Sequence, residues 1–77
     1  MPTFLTINGI RFFFYSWEND EPPHVHFEKG KAFGKTWINP VKIAYWIGFK
    51  TSEKRVILQT IIANKILFNN KWNEYFS

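Results

Sequence analysis

The sequence predicts an α+β domain in which an antiparallel β-sheet of three to four strands, built from hairpins, is covered by a C-terminal α-helix or helix pair. Residues 1–38 consist of short β-branched and aromatic runs separated by turn residues, whereas residues 51–76 carry apolar residues at helical spacing. The chain has 77 residues, the size of one domain, and residues 39–50 connect its two parts.

A β-hairpin is expected at the N-terminus. Thr3–Ile7 is predicted as the first strand, and Asn8-Gly9 as a type I′ turn, because both turn residues tolerate a positive φ. Ile10–Trp17 is predicted as the second strand. Since apolar residues occupy both of its faces, this strand should lie centrally in the sheet and be covered on both sides.

The third strand follows an acidic loop that ends at Pro22-Pro23, because proline cannot donate to a strand ladder. His24–Glu28 is predicted as an extended segment. Alternation along a strand places His24, His26 and Glu28 on one face. The candidate site described below depends on this alternation.

The second half of the chain moves from strand to helix. Ala32–Ile38 is predicted as a fourth strand, and Val41–Ile47 fits either a short helix or an edge strand. Thr51-Ser52 offers a helix N-cap, with Glu53 in the first turn where a carboxylate favours the helix dipole. The following helix is expected to bend or break at Asn64.

Aromatic side chains are unusually frequent: nine Phe, four Trp and three Tyr. A chain this short buries only about 60% of the surface that its unfolded form exposes, so its core is thin. It also has no Cys for disulfides or thiolate metal sites. We therefore expect some rings at an interface with a second copy or a small cognate protein. The alternative is that they are the half-exposed rings of an ordinary small domain.

The N-terminal segment Met1–Phe4 has neither the basic region nor the apolar stretch of a signal peptide. No stretch approaches the roughly 20 apolar residues of a membrane span. A cytoplasmic protein without a membrane partner is expected.

Charge is distributed unevenly, with a net charge of −3 over residues 1–28 and +7 over residues 29–77. A basic half can attract nucleic acid or an acidic protein. Trp37 with Lys31 and Lys35 is the candidate binding set, since an aromatic ring among lysines can stack on bases. The alternatives are a solvated lysine surface and a Trp37 that packs within the sheet.

Two histidines on one strand face suggest acid–base chemistry. His24 and His26 could act as general acid and base, Arg11 on the neighbouring strand could stabilise a phosphate, and Glu18 lies close in sequence. Together these groups would suffice for metal-free RNA cleavage. The alternative is a structural arginine paired with Glu18 or Glu28.

The same face could instead hold a divalent metal ion. His24, His26 and Glu28 are the candidate ligands, with Glu18 as a substitute, because imidazole and carboxylate together suit zinc, manganese or nickel. No other cofactor is expected. A solvated sheet face with no ion is the alternative.

A set of short motifs runs along nearly the whole chain: Gly9–Ser16, Glu18, Pro22–Phe27, Trp37, Asn39-Pro40, Ala44-Tyr45, Gly48-Phe49 and Lys71–Phe76. In these motifs the chain resembles the small bacterial domain of unknown function 4160 family. Asn39 departs from the pattern, where the family is associated with Asp. A catalytic or ligand role of that Asp is therefore not carried over to Asn39.

The resemblance implies a bacterial or phage protein that forms one half of a two-gene module of toxin–antitoxin type. It therefore implies a protein partner, and it leaves room for RNA or DNA. Three functions are compatible with these features: a protein-binding module, a metal-free ribonuclease toxin, and a divalent-metal-binding domain. The first is preferred because the core is thin and the aromatic residues are in surplus.

Overall fold

A computed structural model describes residues 3–15 and 20–76. The elements follow one another along the chain as β1 (Thr3–Ile7), β2 (Ile10–Phe13), β3 (His24–Lys29), β4 (Ala32–Ile38), β5 (Val41–Ile47), α1 (Thr51–Ala63) and α2 (Lys65–Phe76). The strands form one antiparallel sheet in sequential order. The predicted α+β fold is confirmed.

The sheet has five strands rather than the three to four expected, because Val41–Ile47 adopts the second of its two predicted alternatives and forms an edge strand. A two-residue turn at Asn39-Pro40 sends the chain straight back along β4, with Ile38 opposite Val41. Pairing with β4 satisfies backbone groups that a helix of seven residues would leave unpaired at its ends. Most of the segment 39–50 therefore belongs to the sheet, as its fifth strand and the turn that precedes it.

The first hairpin is confirmed, with a positive φ at both Asn8 (52°) and Gly9 (78°). The second strand is shorter than predicted. It ends at Phe13, which lies opposite Thr3, the first described residue of β1. Phe14 and Tyr15 continue outside the strand, and Ser16 and Trp17 lie outside the described residues.

The helices cover one face of the sheet and build the core there. Phe12 of β2 stacks on Phe68 of α2 with ring centroids 5.8 Å apart, and Lys54 of α1 places its ammonium 5.1 Å from the ring of Trp46. The buried apolar cluster consists of Ile10, Phe12, Phe14, Val25, Phe27, Ile38, Phe49, Ile57, Ile61, Phe68 and Trp72. The opposite face carries the alternate residues of each strand, and we call it the open face.

The ring of Phe27 lies across Gly34, which is its partner on β4. A Cβ atom at residue 34 would stand 2.5 Å from Phe27 Cζ and 2.7 Å from the carbonyl oxygen of Tyr45. Glycine is therefore required at this point by the space that the aromatic ring occupies.

The predicted helix break lies at Asn64, whose backbone N–H and side-chain Nδ2 both donate to the carbonyl oxygen of Thr60. The predicted N-cap at Thr51-Ser52 is wrong, because the helix already begins at Thr51 and Lys50 is the cap. The Glu53 carboxylate accepts the Lys50 backbone N–H at 2.9 Å. That bond, together with the ammonium of Lys29, lowers the pKa of Glu53.

Within the described part of the chain, no helix is long and apolar enough to cross a membrane.

Candidate functional site on the open face

The histidine strand is extended, as predicted, and it lies between β2 and β4. On the open face Phe13 stands opposite His26, and His24 stands opposite Trp37. We call Phe13, His26, His24 and Trp37 the aromatic row. Its neighbouring ring centroids are 5.7, 5.2 and 5.5 Å apart, so the four rings are in contact from β2 to β4.

His26 is held on both sides by rings. Phe13 stacks on it with an interplanar angle of 25°, and Tyr15 meets it edge-on at 4.5 Å. Only 6% of His26 is exposed, yet its ring borders the cavity described below. Of the two histidines, His26 is the one placed to meet a ligand.

His24 has no exposed surface. Its Nδ1–H donates to the carbonyl oxygen of Pro22 at 2.9 Å, since a carbonyl can only accept. The ring of Trp72 from α2 lies 4.8 Å away. His24 is therefore enclosed where the end of the sheet meets the helical layer, and a substrate cannot reach its ring in this conformation.

Arg11 is engaged by its neighbours on the sheet. Its guanidinium forms an ion pair with Glu28, the residue directly opposite, with Nε donating at 3.0 Å. It also donates to Thr3 Oγ1 at 3.0 Å and lies 4.2 Å from the Phe13 ring centroid. These contacts match the structural arginine considered above, paired with Glu28. Glu18, the fourth candidate of the catalytic set, lies outside the described residues.

The predicted binding set is divided between two places. Lys35 places its ammonium 4.4 Å from the ring of Trp37 and forms an ion pair with Glu21. Lys31 lies in the turn between β3 and β4 and lines the cavity instead. The structure thus joins Lys35 to Trp37 and separates Lys31 from both.

A cavity of about 300 Å³ lies on the open face. That volume is at the lower end of the range for small-ligand sites. Its lining combines aromatic, charged and glycine residues: Phe13, Tyr15, His26, Phe27, Glu28, Gly30, Lys31, Ala32, Phe33, Gly34 and Tyr45. The cavity could hold one apolar or aromatic group beside an imidazole and a lysine.

The proposed metal ligands do not converge. Among residues 3–15 and 20–76, no three His, Cys, Asp or Glu side chains stand close enough to hold an ion. Glu28 is bound by Arg11, and His24 is enclosed by rings. Metal binding by His24, His26 and Glu28 stays a prediction. It would require the side chains of His24 and Glu28 to leave their present contacts.

Exposed apolar residues on β4 and β5 were not anticipated as part of the site. Phe33 is 46% exposed, Tyr45 41% and Ile47 54%. Phe33 lies directly opposite Ile47, and its ring centroid is 6.2 Å from that of Tyr45. We call these three residues the β5 patch. Apolar residues at adjacent positions in Val41–Ile47 were the available signal, but they fitted helix and strand equally.

The sequential five-stranded sheet, the helical layer on one of its faces and the aromatic-lined cavity on the other define a small α+β domain. A profile of the domain of unknown function family DUF4160 matches residues 9–73. The chain belongs to this family, which confirms the resemblance noted from the sequence. Neither the curated proteins nor the solved structures give a significant match.

Proposed function

We propose that the chain is a protein-binding module of a two-gene system of toxin–antitoxin type, and that it binds its partner through the open face beside β5. The observation that carries this proposal is the β5 patch, in which Phe33, Tyr45 and Ile47 are all exposed next to a cavity. Large apolar groups that cluster on the surface of a small domain are typical of protein interfaces.

The geometry favours binding over chemistry. One proposed catalytic imidazole, that of His24, is enclosed, and the guanidinium of Arg11 is already paired with Glu28. A phosphate clamp would have to break that ion pair. Binding to the β5 patch needs no such rearrangement, because its side chains already face outward.

Co-expression with the product of the neighbouring reading frame tests the proposal. We expect the two proteins to co-purify as a complex of defined stoichiometry, measured by size exclusion with light scattering. Phe33→Lys should disrupt the complex, because it places a charge at the centre of an apolar interface. Ile66→Lys is the matched control, since Ile66 is 77% exposed on α2, away from the sheet.

Two results would reject the proposal: a strict monomer with which nothing co-purifies, or a complex that tolerates Phe33→Lys as well as Ile66→Lys. If the protein instead forms a homodimer that Phe33→Lys disrupts, the binding surface is the proposed one and the partner is a second copy of the chain.

A further inference from the structure

Within the described part of the chain, the outer edge of β5 is an unpaired strand edge. In the sheet order β5 stands last and is hydrogen-bonded to β4 on one side, and none of residues 3–15 and 20–76 pairs with its other side. The strand is seven residues long, contains no proline, and pairs regularly with β4 on either side of one bulge at Ala44. Such an edge presents backbone N–H and C=O groups that another extended chain can pair with.

The other sheet edge, formed by β1, is unlike it. In the described part of the sheet, large exposed apolar side chains occur only on β4 and β5, at Phe33, Tyr45 and Ile47. Phe4 and Leu5 of β1 pack against the core instead. An added strand therefore gains apolar contacts at the β5 edge that it would not gain at the β1 edge.

The charged residues that β4, β5 and their adjoining turns contribute have one sign. Residues 29–47 contain four lysines and no Asp or Glu. Lys29 and Lys35 are paired with Glu53 and Glu21. Lys31 and Lys42 are exposed and form no ion pair with any carboxylate in the described part of the chain.

These two lysines stand at opposite ends of β5. Lys42 is the second residue of the strand, opposite Trp37. Lys31 precedes Ala32, against which Gly48 packs just after the strand ends. An extended segment along β5 would therefore meet a positive charge near each end and apolar side chains between them.

The charges also decide which occupant fits. A second copy paired antiparallel through β5 would add two more lysines beside these and no carboxylate to offset them. A lysine on an edge strand discourages such pairing, whereas an acidic segment is matched by it. Two unpaired lysines without an arginine are few for a nucleic acid, whose affinity comes mainly from phosphate contacts.

We infer that the β5 edge receives an extended acidic segment of a partner protein as a sixth strand, with an apolar side chain seated against the exposed side chains of Tyr45 and Ile47. This inference rests on the proposed function and specifies the partner's chemistry. Strand addition supplies affinity through main-chain hydrogen bonds, and alternate side chains supply the specificity.

Selection of random peptides displayed on phage against the whole chain tests this directly. We expect recovered peptides to alternate apolar with acidic residues, and amide NMR shifts on binding to concentrate in residues 41–47. The amides of a bound peptide should fall into two alternating sets, of which only one points toward β5. N-methylation of that set should abolish binding, and N-methylation of the other set should leave it unchanged. Failure to recover binders, or recovery of basic peptides, would overturn the inference.

Matched variants test the contacts. Ile47→Lys and Lys42→Glu should each weaken a selected peptide about tenfold, while Ile66→Lys and Lys65→Glu on α2 should leave its affinity within about twofold. Ile47→Thr, which keeps a β-branched residue, serves if Ile47→Lys fails to fold. Equal losses in test and control variants would overturn the inference.

The proposed function and this inference can fail separately. If peptides bind the open face but tolerate N-methylation of both amide sets, the protein-binding function is retained and strand addition is rejected. If single-stranded oligonucleotides bind tightly and the selection recovers no peptide, both the protein-binding function and strand addition are rejected.

Discussion

Replacing Gly34 by alanine should destabilise the sheet where β4 supports the binding edge. The added Cβ would lie 2.5 Å from Phe27 Cζ and 2.7 Å from the Tyr45 carbonyl oxygen. Phe27 has no exposed surface and packs in the core, so its ring cannot swing into solvent. The carbonyl belongs to the β5 backbone, so relief on that side requires the strand to move.

The magnitude follows from two opposing effects. Overpacking a core position costs about 1–3 kcal/mol, and the close approach on two sides places this site at the upper end. Alanine also restricts the unfolded chain, which returns about 0.4–1 kcal/mol. We expect a net loss of about 2 kcal/mol. For a chain of this size that corresponds to a fall in Tm of about 8–16 °C.

Thermal and urea unfolding measure the loss, and a double-mutant cycle assigns its cause. Phe27→Leu removes the ring that meets the new methyl group, so Gly34→Ala should cost less in the Phe27→Leu background than in the wild type. Gly34→Ala at unchanged or higher stability would refute the reasoning. An equal loss of stability in both backgrounds would show that the new methyl group clashes only with the β5 backbone.

Four further predictions follow from other contacts. The lowered pKa of Glu53 means that its ionised carboxylate stabilises the fold above the ordinary pKa of 4.5, and that this stabilisation is lost as the pH falls below that value. Glu53→Gln should therefore reduce the loss of stability that acid unfolding curves show over this range. Asn39 and Asn69 exchange side-chain hydrogen bonds of 2.7 and 3.1 Å, so Asn39→Asp should lose one donor and about 1 kcal/mol of stability in urea unfolding, and an unchanged midpoint would count against that bond. If the protein is a ribonuclease toxin, its expression should arrest growth and His26→Ala should abolish the arrest while the circular dichroism spectrum stays native; an unaltered arrest would reject the role of His26. Calorimetric titration with zinc, manganese and nickel should give a saturable heat change if His24 and His26 bind a metal ion. The absence of such a change at near-millimolar ion would reject that site.

Much of the fold could be predicted from local signals. Asn8-Gly9 specifies its own turn, and the double proline before His24 specifies where an extended segment can resume. The fifth strand could not be assigned in the same way. Apolar residues at Tyr45, Trp46 and Ile47 fit both periods, and pairing with β4 settled the conformation.

The sequence predicts that His24 and His26 share one face of their strand, but it does not predict that both rings are buried. Period-two geometry placed His24 and His26 on one side of the strand, and their ring centroids lie 5.2 Å apart. Their burial depends on partners distant in sequence, Trp72 for His24 and Phe13 for His26. No local pattern encodes such contacts. The exposure of the β5 patch likewise follows from which face the helices cover, which is a property of the assembled fold.

The enclosed position of His24 decides how experiments on it must be interpreted. Its ring links Trp37 on the open face to Trp72 in the helical layer, and its Nδ1–H holds the Pro22 corner that begins β3. Removing the ring would create a cavity at this junction and let β3 and α2 shift, so partner binding and any growth arrest would both suffer without a catalytic step being involved. Loss of function in His24→Ala therefore carries no information about chemistry. His26 borders the cavity, so only a change at His26 that preserves stability while altering a pH profile would indicate an acid–base role.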